Sequence, residues 1–232
     1  MNIQVWPFSV EQLWKGSILA SIAHAIAVSR WPDVSNQQSW DGLNYSVQDG
    51  MGSKGTICFD FTQQQFPAKC AGAVFGARSN RSKLEKGLPQ ESQGFLTGIP
   101  DDIRSLAEES FQYLLDDFSG EVRPWVTAAL WSIGPSLASQ DSWEDFKEQG
   151  GHLIERQLIP LDTAVTAWKQ EYKMSDEESE MLVSLYSRRI NNPQVVLTLT
   201  LDDRRIIEQH GEGVEESWES FSELSFQFPS IE

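Results

Sequence analysis

Three histidines, two cysteines and 34 carboxylates are among the residues of this chain able to carry proton transfer, metal binding or nucleophilic attack. Their spacing limits what they can do. His24, His152 and His210 stand far apart, with no second His or Cys at helical spacing, so no metal site is assigned. His24 lies in the apolar run Ile18–Val28, where a satisfied core histidine is expected. His152 follows Gly150-Gly151 and has the side chain of a general base, but a lone histidine after a turn does not define a site. Cys58 and Cys70 form neither a CxxC pair nor a disulfide framework. No serine sits in a G-x-S-x-G elbow.

Gly50-Met51-Gly52-Ser53-Lys54-Gly55-Thr56 has the composition of a phosphate loop in the wrong order. A Walker A loop runs Gly-Lys-Ser/Thr into a helix, whereas here Lys54 precedes Gly55 and a strand pattern follows. A hairpin turn is the expected structure. The adjacent acids Asp101-Asp102, Asp116-Asp117 and Glu215-Glu216 do not share a helix face, and paired-carboxylate hydrolysis needs two acids facing each other across a cleft. No catalytic residue, metal or cofactor is therefore assigned.

Charge gives the clearest functional signal. Residues 1–100 hold 8 Lys/Arg and 7 Asp/Glu, whereas residues 101–232 hold 10 and 27. Phosphate backbones require Lys and Arg, so the acidic balance argues against nucleic acid, and none is expected as a partner. A basic protein is the expected one, because opposite charge steers association. The candidate contact residues are Asp116, Asp117, Trp143, Glu144, Asp145, Trp218 and Glu219, which place acids beside large aromatics suited to interface anchors. The leading expectation is a non-enzymatic inhibitor or immunity-type protein that covers a basic toxin or nuclease. A small-molecule hydrolase and a structural subunit are the alternatives. For a small ligand the candidates are Trp40, Asn44, Ser46 and Gln48, which would share one face of a single strand over 40–49.

The elements that must position these residues can be read from periodicity. Ser9 caps a helix over about 10–29 with a stripe of Leu13, Trp14, Ile18, Ile22 and Ile26, which Trp31-Pro32 ends. Its apolar run lacks the basic flank of a signal peptide and the length of a membrane span, so no membrane association is expected and the cytoplasm is the expected location. Residues 43–48, 56–61 and 68–77 alternate as a three-stranded antiparallel meander. Ala71, Gly72, Ala73, Gly76 and Ala77 leave its third strand open to close packing, most often by a helix.

Later, helices are expected over 101–117, 142–158, 161–173, 176–190 and 215–224, with a short one at Ile206-Ile207 and strands at 125–131 and 195–199. Capping boxes from Asp141 to Glu144 and from Ser175 to Glu178 mark two of the helix starts. The fold class is α+β: a small antiparallel meander packed with helices, then a mostly helical acidic part. The expected organisation is 1–77, a loop or linker at 78–99, and 100–232, with one continuous domain as the alternative. A hairpin symmetric about Gln64 would set Cys58 directly opposite Cys70.

Overall fold

The computed structural model describes residues 3–61, 65–82, 92–118 and 120–229. Part of the expected turn at 63–65, and residues 83–91 of the expected 78–99 loop, lie outside the described residues. In chain order the elements are β1 (Gln4–Ser9), α1 (Val10–Val28), β2 (Gln38–Asp41), β3 (Asn44–Gln48), β4 (Lys54–Asp60) and β5 (Lys69–Phe75). Then come α2 (Asp101–Gln112), β6 (Leu115–Phe118), β7 (Glu121–Pro124), β8 (Ala128–Ile133), β9 (Ser136–Ser139) and α3 (Trp143–Glu148). The chain continues with α4 (Leu161–Glu171), α5 (Asp176–Asn191), β10 (Leu197–Thr198), α6 (Leu201–Glu208), α7 (Val214–Glu223) and β11 (Phe226–Gln227).

The fold is α+β. The sheet order is β1-β9-β8-β5-β4-β3-β2, so the expected meander β3–β4–β5 forms part of a seven-stranded antiparallel sheet. The chain divides into two compact units, residues 1–14 with 43–155, and residues 15–42 with 156–232. Each unit carries nine Lys/Arg and seventeen Asp/Glu, a formal −8. The contrast between the near-neutral first hundred residues and the acidic remainder therefore does not follow the units.

In the first unit, β4 and β5 are buried over most of their length. Ala71 and Ala73 of β5 lie in one apolar cluster with Ile103, Ala107 and Phe111 of α2 and with Ala129 and Trp131 of β8. The small residues of β5 thus accept a helix, as their size suggests. Gly72 between them is forced by the neighbouring strand: a Cβ there would lie 2.5 Å from the Thr56 carbonyl oxygen on β4.

The second unit is mostly helical. Ile18, Ile22 and Ile26 of α1 are buried there, as are Trp168 of α4, Leu182 and Leu185 of α5, Ile207 of α6 and Phe221 of α7. Ser217 Oγ donates to the Ala25 carbonyl at 2.7 Å, and the Gly213 amide donates to the Ser29 carbonyl at 3.1 Å. These bonds tie α7 to the last turn of α1. His24 is buried with Nε2 2.9 Å from the Val34 carbonyl, and burial holds its pKa below the ordinary value. It is a core histidine, as its apolar setting implies.

Local signals explain the helix starts. The Ser9 hydroxyl accepts from the Gln12 amide at 3.0 Å, and Ser175 with Glu178 closes a full capping box. The first of the two expected boxes is displaced by one residue: Ser142, not Asp141, caps α3 and accepts from the Asp145 amide.

Several expected elements are corrected. The helix expected to run to 117 stops at Gln112, because residues 115–124 fold into the β6–β7 hairpin. Gly120, at φ 89°, makes that turn, and its amide donates to Asp117 Oδ1 at 2.7 Å. The helix expected over 142–158 breaks at Gly150, φ 117°, and resumes as a 3₁₀ segment over Gly151–Leu158. The strand expected at 125–131 starts later, at Ala128, and turns through Gly134 into β9. The strand expected at 195–199 shortens to Leu197–Thr198, paired in parallel with β11.

The cysteine register is also corrected. Phe59 pairs with Cys70, and Cys58 with Ala71, so the hairpin is displaced by one residue from symmetry about Gln64. A one-residue displacement sends the two thiols to opposite faces of the sheet. Both are buried, and they form no disulfide with each other.

The close approach at Gly72 has a measurable consequence. Gly72→Ala should lower unfolding stability by about 1–3 kcal/mol, because the added methyl meets backbone. Gly50→Ala, with nothing within 4 Å of the new Cβ, should stay within about 0.5 kcal/mol. Chemical denaturation of the two variants checks this, and equal midpoints would contradict the packing.

Candidate functional site

The register that pairs Lys54 with Phe75 puts both side chains on the face of the sheet covered by α2. They stand beyond the end of that cover. There the chain leaves α2 through Tyr113 and Leu114 and enters β6, and the Trp125 amide donates to the Leu114 carbonyl at 2.8 Å, closing the base of the hairpin. The resulting pocket has a volume of about 440 Å³. Phe75, Trp125 and Leu114 supply its apolar wall, and Gly52, Ala77 and Ser82 add small residues. The Phe75 and Trp125 rings are 5.0 Å apart between centroids and tilted by 60°. Lys54 and Asp116 supply the charge, with Nζ 3.8 Å from Oδ2 and the side chains 46% and 48% exposed. An ion pair that long and that wet is weak, so both charges remain accessible to a guest.

The adjoining β6–β7 hairpin is a sheet of two strands. Leu115 pairs with Pro124 and Asp117 with Val122, so these four residues share one face. Val122 is 64% exposed, and Leu115 and Tyr113 are exposed as well. On the preceding helix Ile103, Ala107 and Phe111 turn inward, leaving Asp101, Asp102, Glu108 and Glu109 outward. Residues 101–117 together with Val122 therefore present carboxylates interleaved with exposed apolar side chains.

The residues singled out from sequence fall in different places. Asp116 lines the pocket and Asp117 sits beside it on the hairpin, both exposed. Trp143, Glu144 and Asp145 open α3 in the same unit. Glu144 and Asp145 are exposed, whereas Trp143 is half-buried, edge-on to Trp6 and Phe8 at 5.1 Å each and stacked on Phe146. Trp218 and Glu219 belong to α7 in the second unit. Glu219 is exposed, while Trp218 is half-buried against Phe228, with the Arg204 guanidinium 5.3 Å from its ring. Both tryptophans are engaged in packing, with part of each ring left accessible.

Trp40, Asn44, Ser46 and Gln48 do not lie on one strand. Gly42, at φ 60°, turns the chain between β2 and β3. Trp40 donates from its ring to Ser21 Oγ at 2.8 Å, and from its backbone amide to Glu223 Oε2 at 2.8 Å. Asn44 is buried; its Oδ1 accepts from Thr56 Oγ1 at 2.6 Å and Cys58 Sγ at 3.1 Å, and its Nδ2 donates to Ser46 Oγ at 3.1 Å. These contacts knit β3 to β4. Gln48 is half-buried at the end of β3.

Sequence reasoning missed the pocket residues Lys54, Phe75 and Trp125. The available signal was Asp117 followed three residues later by Gly120, which marks a hairpin in place of the helix end and so brings Trp125 back to Leu114.

Other polar clusters are built for structure. His152 places Nε2 3.5 Å from Asp49 Oδ2 and Nδ1 3.4 Å from the Lys147 carbonyl, so both ring nitrogens are engaged. Arg189, 2% exposed, donates to the Asn192, Val195 and Ser225 carbonyls and lies over the Phe226 ring. Burial, with Arg188 nearby, pulls its pKa down to about 10. The Glu178 side chain is 1% exposed, 2.5 Å from Arg30 Nη2 and 3.1 Å from His210 Nε2. Burial pushes its carboxyl up, but the Ser175 amide and the Arg30 guanidinium outweigh that and hold it below its ordinary value of 4.5. Among the described residues no group of three or more His, Cys, Asp or Glu is arranged to hold a metal, and no helix is long and apolar enough to cross a membrane.

No family model matches the chain, and neither the curated proteins nor the solved structures contain a match to it.

The Glu178 cluster gives a signed pH dependence. A carboxyl depressed on folding stabilises the protein above its unfolded value near 4.5, and that contribution is lost as pH falls through its lower folded value. Glu178→Gln should cost up to about 3 kcal/mol at pH 7 by leaving Arg30 unpaired. It should also flatten the acid limb, so that wild type and variant converge once pH has fallen below the depressed folded value of Glu178. Denaturant unfolding across pH tests both; parallel acid limbs would contradict the assignment.

Proposed function

We propose that this chain is a non-enzymatic, cytoplasmic binding protein that docks on a basic protein, as an inhibitor or immunity-type factor would. The observation that carries the reading is the β6–β7 hairpin with the end of α2, where exposed Leu115, Val122 and Tyr113 lie among Asp101, Asp102, Glu108, Glu109, Asp116 and Asp117. Acids steer a positive partner and raise its encounter rate. Apolar side chains at the centre of such a surface supply the desolvated contact that slows dissociation. Two buried cysteines not joined in a disulfide suit a reducing compartment.

The pocket beside the hairpin favours a second reading, a small-molecule site, because its volume of about 440 Å³ lies within the roughly 300–1,000 Å³ of ligand cavities. The two readings share Asp116 and separate on Val122 and Asp117, which do not line the pocket.

Kinetics with the captured basic partner test the docking reading. The association rate should fall steeply as ionic strength rises from about 0.1 M to 1 M, where the screening length drops from about 10 Å to 3 Å. Asp117→Asn should slow association, and Val122→Ser should speed dissociation about five- to tenfold. A salt-independent on-rate, an acidic partner, or wild-type kinetics in both variants would overturn it.

A further inference from the structure

We propose that the pocket between β4, β5 and the β6–β7 hairpin binds a free α-amino acid with an apolar side chain. Among the described residues that line it, the pocket carries one cation, Lys54, and one anion, Asp116, with Nζ and Oδ2 3.8 Å apart. A purely cationic guest would be repelled by Lys54 and a purely anionic one by Asp116. A zwitterion meets both at once. Its carboxylate pairs with Lys54, its ammonium pairs with Asp116, and the four charges alternate in sign. An α-amino acid carries its two charges on neighbouring carbons, a spacing that matches the adjacent Lys54 and Asp116 head groups.

Shape and polarity fix the side chain. Behind the charged pair stand Phe75 and Trp125, their centroids 5.0 Å apart, with the buried Leu114 beside them. That wall is apolar and aromatic, and a cavity of about 440 Å³ accommodates a residue as large as phenylalanine. Gly52 and Ala77 add little bulk to the lining. The guest exchanges one long, half-exposed ion pair for two shorter ones. The binding step makes and breaks no covalent bond. It rests on the small-molecule reading of this pocket, and of the docking residues it needs Asp116 but neither Val122 nor Asp117.

The test uses the full-length chain labelled with ¹⁵N and follows its nine tryptophan indole N–H signals, with Trp125 assigned from Trp125→Phe. The probes are L-phenylalanine, N-acetyl-L-phenylalanine, which lacks the ammonium charge, and L-phenylalaninamide, which lacks the carboxylate. L-Phenylalanine is expected to shift the Trp125 signal saturably, and each derivative to bind about tenfold more weakly. Lys54 and Asp116 are both half-exposed, so Lys54→Gln and Asp116→Asn leave the fold intact. In Asp116→Asn the penalty for acetylation should vanish while the penalty for amidation remains. In Lys54→Gln the reverse should hold. No saturable shift with L-phenylalanine, equal binding of the three probes, or penalties unchanged in the two variants would overturn the proposal. Loss of partner docking in Val122→Ser with ligand binding intact would bear on the docking reading alone.

Discussion

The burial of β4 and β5 on both faces is the constraint on which the first unit depends. A strand can be covered on both sides only if its side chains leave space for what covers it. Ala71 and Ala73 do so on one face, where α2 lays Ile103, Ala107 and Phe111 against them. Between these alanines, Gly72 lets the chain pass so close to the Thr56 carbonyl that no Cβ fits. Once α2 is docked, its C-terminal end is fixed at the Lys54–Phe75 end of the strands. The hairpin that follows must then close against that end, and the pocket is the space left between them. Candidate site and core share one cause.

Electrostatics adds the second layer. A formal −16 divides equally between the two units, so neither is a neutral scaffold for an acidic partner domain. The acids that are held do structural work. Glu178 closes a helix start and binds Arg30, and Asp141 takes two hydrogen bonds from Arg81. Others lie along the outer face of α2 and the hairpin with little pairing. Asp102 bonds Lys69 at 2.6 Å and Asp116 reaches Lys54 only at 3.8 Å. Exposed pairs of this sort contribute little to stability. The field they create acts on what approaches the protein.

The sequence showed the α+β class, the meander and the α1, α4 and α5 helices, because their signals are local: an alternation of period two, an apolar stripe of period 3.6, a cap residue. Ser175 with Glu178 is such a signal, and it marks α5 to the residue. What was not legible depended on single glycines or on distant pairing. Gly120 turns residues 115–124 into a hairpin where apolar periodicity suggested more helix, and Gly150 breaks a second helix in the same way. The edge strand β1 contains Pro7 and pairs with β9 far along the chain, so its own pattern is weak. The one-residue displacement at Phe59–Cys70 depends on the turn and not on the strands. The ligand face expected from Trp40 to Gln48 required one continuous strand, and Gly42 divides it. The pocket could not be read because Lys54, Phe75, Asp116 and Trp125 meet only after two separate hairpins have closed.

Hydrogen–deuterium exchange of the full chain, free and with its basic partner, tests the central claim most directly. Amides exchange through local opening, so the measurement separates a buried platform from the surface mounted on it. The account predicts slow exchange of β4 and β5 in both states, and protection gained on binding across residues 113–125. Unchanged exchange in the hairpin, with protection confined to α5, α6 or α7, would contradict it.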